Sequence, residues 1–154
     1  MIYNNIVDFS KQLQNNRRLI GLDVGRKTIG VALSDRDKNI ATAKFIIQRK
    51  STKNDLDILV KYIQDNDVCG IVSGLPLNAD GDDTKSCNYI KNFIVELDKV
   101  VNLPIFFEDE FLSSFVVEDF FIDGIGTKSK KVKDIVDKHA AAVILQSVLD
   151  KVIR

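Results

Sequence analysis

The chain has one histidine, two cysteines and no tryptophan among its 154 residues. Cys69 lies in an apolar run and Cys87 in a polar stretch. Their separation matches no metal-ligand spacing, so the expectation is two reduced intracellular thiols rather than a cysteine metal site or a disulfide framework. No segment approaches the roughly 18 consecutive apolar residues of a membrane span, and the first residues lack a cationic stretch followed by a long apolar one. A soluble, cytoplasmic protein without membrane contact is expected. Neither sign of charge dominates, with 22 lysines and arginines against 22 aspartates and glutamates. Overall charge therefore gives no bulk attraction to nucleic acid, and any such binding must come from local clusters.

What is present reads as one domain with a real core, since 45% of the residues are hydrophobic and no composition break divides the chain. Ile6, Phe9 and Leu13 fall at helical spacing in a polar background, so residues 1–17 read as an extension carrying a short amphipathic helix, and residues 18–154 as the main domain. Three β-like runs follow at 19–23, 28–34 and 40–47, joined by the turn-forming stretches VGRK and DRDKN, whose shortness makes the strands antiparallel neighbours. Leu56, Leu59, Val60 and Ile63 mark one face of a helix over 52–66, with Ser51 or Thr52 as its cap. A strand at 68–73, a helix at 84–100 and a fifth strand at 103–107 come next. A helix from Ser113 or Ser114 to about Asp123, stopped by Gly124 and Gly126, precedes a last helix over roughly 132–152. This order predicts an α/β fold built on a five-stranded mixed sheet, antiparallel in its first three strands and parallel afterwards, with helices on both faces.

Asp23 closes the first apolar run, with Gly25 two places on. A carboxylate in such a setting is costly unless something cationic meets it, which points to a metal or a phosphate-bearing ligand. The element order with an acidic residue at the end of the first strand is the ribonuclease H-like pattern. Four segments sharpen the resemblance: LDVGRKTIGVA at 22–32, GLPLNADG at 74–81, DEFLSS at 109–114 and VDKHAAAVILQ at 136–146. On these motifs, in this order and over nearly the whole chain beyond residue 18, the sequence resembles the YqgF/RuvX family.

The resemblance implies a nuclease that hydrolyses phosphodiesters with Mg²⁺ or Mn²⁺, held by carboxylates from distant parts of the chain. Such ions take hard oxygen ligands and keep several waters, so a few carboxylates suffice without histidine. The implied set is Asp23, Glu110 and Asp137 as metal ligands, with Asp109 supporting them. Side chains alternate along a strand, so if pairing persists to its end, Glu108 and Glu110 share a face and Asp109 opposes them. Asp137 has a competing reading as a solvent-facing helical carboxylate paired with Lys133 or Lys138. His139, two residues beyond it and about 200° round a helix, reads as structural.

For nucleic acid, the reading takes Arg26 and Lys27 in the turn beside Asp23, Asn78 in the GLPLNADG loop, and the lysines Lys128, Lys130 and Lys131. That loop competes with a plain structured turn, and the lysine run with a solvated face. Phe111 stands where the family usually carries arginine, and it cannot make an arginine's bidentate contact with phosphate or carboxylate. The family implies RNA as substrate, with processing of the 5′ end of pre-16S rRNA and the ribosomal small subunit as a partner, in a monomer or homodimer. The alternatives are resolution of four-way (Holliday) DNA junctions, which asks for a symmetric dimer, and a catalytically weak nucleic-acid-binding factor, which Phe111 favours.

Overall fold

The computed structural model describes residues 1–76, 85–109 and 130–152. Strand β1 (Ile2–Tyr3) and helix α1 (Ile6–Lys11) lead into three strands, β2 (Arg18–Val24), β3 (Thr28–Ser34) and β4 (Ala41–Gln48). Helix α2 (Thr52–Asp65), strand β5 (Val68–Leu75), helix α3 (Lys85–Val101) and strand β6 (Ile105–Asp109) follow, and helix α4 (Lys130–Leu149) comes last. The expected helix at 113–123 lies outside the described residues.

The six strands form one sheet in the order β1-β6-β5-β2-β3-β4. β3 is antiparallel to both β2 and β4, whereas β2, β5, β6 and β1 run parallel. The expected count of five omits β1, whose two residues are too few to produce an alternating pattern and which is defined by pairing with Ile105 and Phe106. One straight row, Ile20, Ile71, Ile105 and Ile2, crosses four parallel strands.

Both faces of the sheet are covered, which explains why β5 is buried along its whole length and reads as a continuous apolar run. On one face Ile20, Leu22 and Val24 pack with Leu59 and Ile63 of α2 and Ile90, Ile94 and Leu97 of α3. On the other, Leu19 and Val72 meet Phe9 of α1 and Ala141, Ile144, Leu145 and Val148 of α4. Phe9 is fully buried, and its ring lies 5.5 Å from that of Phe106. Residues 1–17 therefore contribute both a strand and a core side chain.

The helix caps follow the sequence. Ser51 is the N-cap of α2 and accepts from the Asn54 backbone N–H at 3.1 Å, and Asn5 does the same for α1 with Asp8 at 2.8 Å. Cys69 and Cys87 are free thiols and both are buried. Cys87, despite its polar neighbours in sequence, sits on the inner stripe of α3 and donates to the Pro76 carbonyl.

Candidate active site

The parallel strands β2, β5 and β6 deliver their carboxyl ends to one edge of the sheet, the usual place for ligand sites in such topologies. Alternation along β2 directs Leu19, Gly21 and Asp23 towards α4, and Ile20, Leu22 and Val24 towards α2 and α3. Asp23 is half-buried there, opposite Gly30 of β3. Its carboxylate has neither a hydrogen bond nor an ion pair among the described residues.

Gly21 lets α4 approach this edge closely. A Cβ on it would stand 2.7 Å from Leu145 Cβ and 2.9 Å from the Ala141 carbonyl oxygen, so only glycine fits without movement. The Gln146 side chain accepts from the Ala41 backbone N–H at 2.9 Å, and Ala41 is paired with Ser34 at the opposite end of the β2–β3 hairpin from Asp23. Helix α4 therefore runs antiparallel to β2. Asp137 precedes Ala141 by four residues and Ile144 by seven, which puts its backbone on the sheet-facing side of the helix, towards the Asp23 end.

On β6 the alternation is equally clear. Phe106 belongs to the α4 face, and Ile105 and Phe107 to the other. Glu108 lies level with Gly74, which itself follows the Ser73–Leu22 pair, so Glu108 and Asp23 stand in the same row of the sheet. Glu108 is already engaged. Its carboxylate accepts from Ser147 Oγ at 3.0 Å and Lys151 Nζ at 2.7 Å, and it caps the Asp109 backbone N–H at 3.0 Å. It ties the last turn of α4 to β6, a role that the strand parity alone did not reveal. Asp109 is half-buried at the end of β6. Glu110, Phe111, Asn78 and Lys128 lie outside the described residues, and for Lys130, Lys131 and Asp137 only the helical backbone is described. Among the described residues no three carboxylate, histidine or cysteine side chains converge as a metal set.

The β2–β3 turn is held from the opposite side. Gly25 N–H donates to the Thr28 carbonyl at 2.8 Å, and the Arg49 backbone N–H donates to the Lys27 carbonyl at 2.9 Å. The Arg49 guanidinium donates to the Gly25 carbonyl at 3.0 Å and to Asp55 at 3.0 Å, and it lies over the Phe93 ring at 4.9 Å. Asp55 is fully buried. Sequence reasoning missed this pair, yet a signal existed: Asp55, Leu59 and Ile63 are spaced four apart, so a carboxylate stands on the buried stripe of α2 and requires a cationic partner. Arg26 and Lys27 are exposed at the turn, and Arg26 lies 5.0 Å over the Tyr89 ring. His139 is half-buried on α4.

A protein of Ruegeria sp. (strain TM1040), named "Putative pre-16S rRNA nuclease", is 39% identical over 98% of this chain and 96% of its own length. A protein of the same name from Rickettsia bellii is 37% identical over 99% of this chain and 98% of its own. Among solved structures, Thermus thermophilus RuvC in complex with a Holliday junction substrate superimposes with a TM-score of 0.55 at 10% identity, covering 87% of this chain and 95% of that one. That likeness shows the fold, which is ribonuclease H-like. With the family model described as "RuvX: Holliday junction resolvase" matching residues 17–151, this chain belongs to the RuvX family of nucleases.

Proposed function

We propose that this protein hydrolyses phosphodiester bonds in RNA with the help of divalent cations, and that its substrate is the 5′ end of pre-16S rRNA during ribosome maturation. The observation that carries the reading is Asp23: a half-buried carboxylate without a partner among the described residues, facing α4 at the carboxyl edge of the central strand. The names of full-length relatives at 37–39% identity support the RNA substrate. A cytoplasmic location and contact with the small ribosomal subunit go with that substrate. No helix among the described residues is long and apolar enough to cross a membrane.

An unpaired carboxylate fits a hard cation such as Mg²⁺ or Mn²⁺, which takes oxygen ligands. Asp23, Glu110 and Asp137 would hold it, and when bound it supplies activation of a water and neutralisation of the leaving oxygen. The alternation of β6 puts Phe106 and Glu108 on the α4 face and Asp109 off it, so Glu110, which the family resemblance supplies, is kept as the ligand rather than Asp109. The chain's own part is positional. Gly21 brings α4 against β2, the Glu108–Lys151 pair holds the helix end to β6, and the Arg49–Asp55 pair fixes the turn that follows Asp23. Arg26, Lys27, Asn78, Lys128, Lys130 and Lys131 bind the phosphate backbone in this reading.

The second reading, cleavage of four-way DNA junctions, is favoured by the family's description and by the fold shared with RuvC. Offering precursor rRNA, single-stranded RNA and a four-way junction in parallel, with and without Mn²⁺, separates the two. Cleavage of precursor RNA, abolished to below about one-tenth in Asp23→Asn, is the expected result. Products confined to the junction reject RNA as the substrate.

A further inference from the structure

Beside the catalytic edge, on the side of the β2–β3 turn away from α4, a cleft of about 410 Å³ opens between that turn, the start of α2 and α3. Arg26, Lys50, Thr52 and Tyr89 line it, with the Arg49–Asp55 pair as its floor. Asp55 is fully buried and neutralises Arg49, so Arg26 and Lys50 leave the cleft with a net positive charge. Both side chains are exposed, and neither forms an ion pair among the described residues. An arginine stacked on Tyr89 and an unpaired lysine beside Thr52 are the chemistry of a phosphate oxygen site. The Arg26 guanidinium stacked on Tyr89 offers a flat surface of the kind on which unpaired bases stack.

We propose that this cleft is a second backbone subsite, which takes a phosphate of a single-stranded nucleic acid a few nucleotides from the bond cleaved at Asp23. The inference rests on the nuclease reading above and deepens it. Arg26 is three residues beyond Asp23, so their Cα atoms are at most about 11 Å apart, a distance that a few nucleotides of a single strand cover. The strand then crosses the sheet edge over Gly25, from the α4 face to the α2–α3 face. A backbone that bends over a sheet edge within a few nucleotides is single-stranded there. Lys50 is the residue that distinguishes this path, because it lies outside the turn and serves no fold contact through its side chain among the described residues.

The test is binding of a 12-nucleotide single-stranded RNA, without added metal, to the full chain and to Lys50→Gln, with Lys61→Gln on the exposed face of α2 as a charge-matched control. Lys50→Gln is expected to weaken binding about threefold to tenfold and to lower the slope of log affinity against log salt by about 0.7, the value for one phosphate on a single strand. Lys61→Gln should leave both unchanged. An unchanged affinity and slope in Lys50→Gln, or an equal loss in both variants, overturns the subsite. Turnover of precursor RNA by the parent against Asp23→Asn is read separately. A subsite failure with that turnover intact leaves the nuclease reading standing, and absence of Asp23-dependent turnover rejects the nuclease reading itself.

Discussion

A single missing methyl group sets how close the last helix comes to the central strand. In Gly21→Ala the new Cβ would face Leu145 Cβ at 2.7 Å and a backbone carbonyl at 2.9 Å, and neither is the free end of a flexible side chain. Helix α4 must move outward, and overpacking of this kind costs about 1–3 kcal/mol. Because Asp137 is one turn from Ala141, the same shift alters its distance to Asp23, so turnover should fall together with the thermal midpoint. A midpoint equal to the parent's would show that the helix is not seated on Gly21. Asp35 supplies a titration test at the far end of the hairpin. Its carboxylate accepts from the backbone N–H groups of Ile40 at 2.9 Å and Asn39 at 2.8 Å, and these bonds, that from Ile40 foremost, hold its pKa below the ordinary 3.8. A depressed carboxylate stabilises the fold above its unfolded pKa and ceases to do so as pH falls through the lower folded value. Thermal scans of Asp35→Asn against the parent should show the parent ahead at pH 7 and the gap closing below about pH 4. A gap that stays constant to pH 2 removes the charge from the explanation.

At the scale of elements, the turn between β2 and β3 is braced by α2 through one buried pair. Asp55→Ala would leave the Arg49 guanidinium, only 17% exposed, with the Gly25 carbonyl and the Phe93 face but no counter-charge. Stranding a buried charge costs on the order of 3 kcal/mol, here lessened by the remaining exposure. The turn after Asp23 should loosen as well, so RNA cleavage falls at temperatures well below the melting transition; full activity there, with only the midpoint lowered, would confine the pair to stability. This brace also marks how far the sequence could be read. The periods of α2, α3 and α4 and the apolar runs of β2, β3 and β5 were legible, because each buries one stripe or both faces of a regular element. The capping serine of α2 was legible for the same local reason. Asp23 stood out as a carboxylate ending an apolar strand. By contrast β1 has two residues and exists only through its pairing with β6, and the strand expected at 103–107 proves to be 105–109, since Pro104 has no N–H to donate and meets β5 only through its carbonyl, which accepts from the Ile71 N–H at 2.9 Å. The Glu108–Lys151 pair joins segments 43 residues apart through tertiary contact, which no local period records, and the Arg49–Asp55 pair left a trace only in the carboxylate that stands on the buried stripe of α2.

For the whole molecule, the sheet carries two cores, and the proposed ligands are drawn from elements that meet in the α4-side core. Asp23 is the last residue but one of β2, Asp137 rides on α4, and Glu108, two residues before Glu110, is pinned to the end of α4 by Lys151. Carboxylates converging on one place repel one another until a cation joins them, so the metal should act on the stability of the entire domain. At a hundredfold excess of Mg²⁺ or Mn²⁺ over its dissociation constant the linkage is about 2.7 kcal/mol, which for a domain of this size raises the thermal midpoint by roughly 5–10 °C. Asp23→Asn removes one formal charge at nearly constant volume. Without metal it should melt at or above the parent's temperature, because one repulsion is gone, and with metal it should gain little. Scanning both proteins with EDTA and then with excess Mg²⁺ decides the point: an equal rise in the two places the cation elsewhere on the surface, whereas a rise confined to the parent ties Asp23 to the metal independently of any substrate.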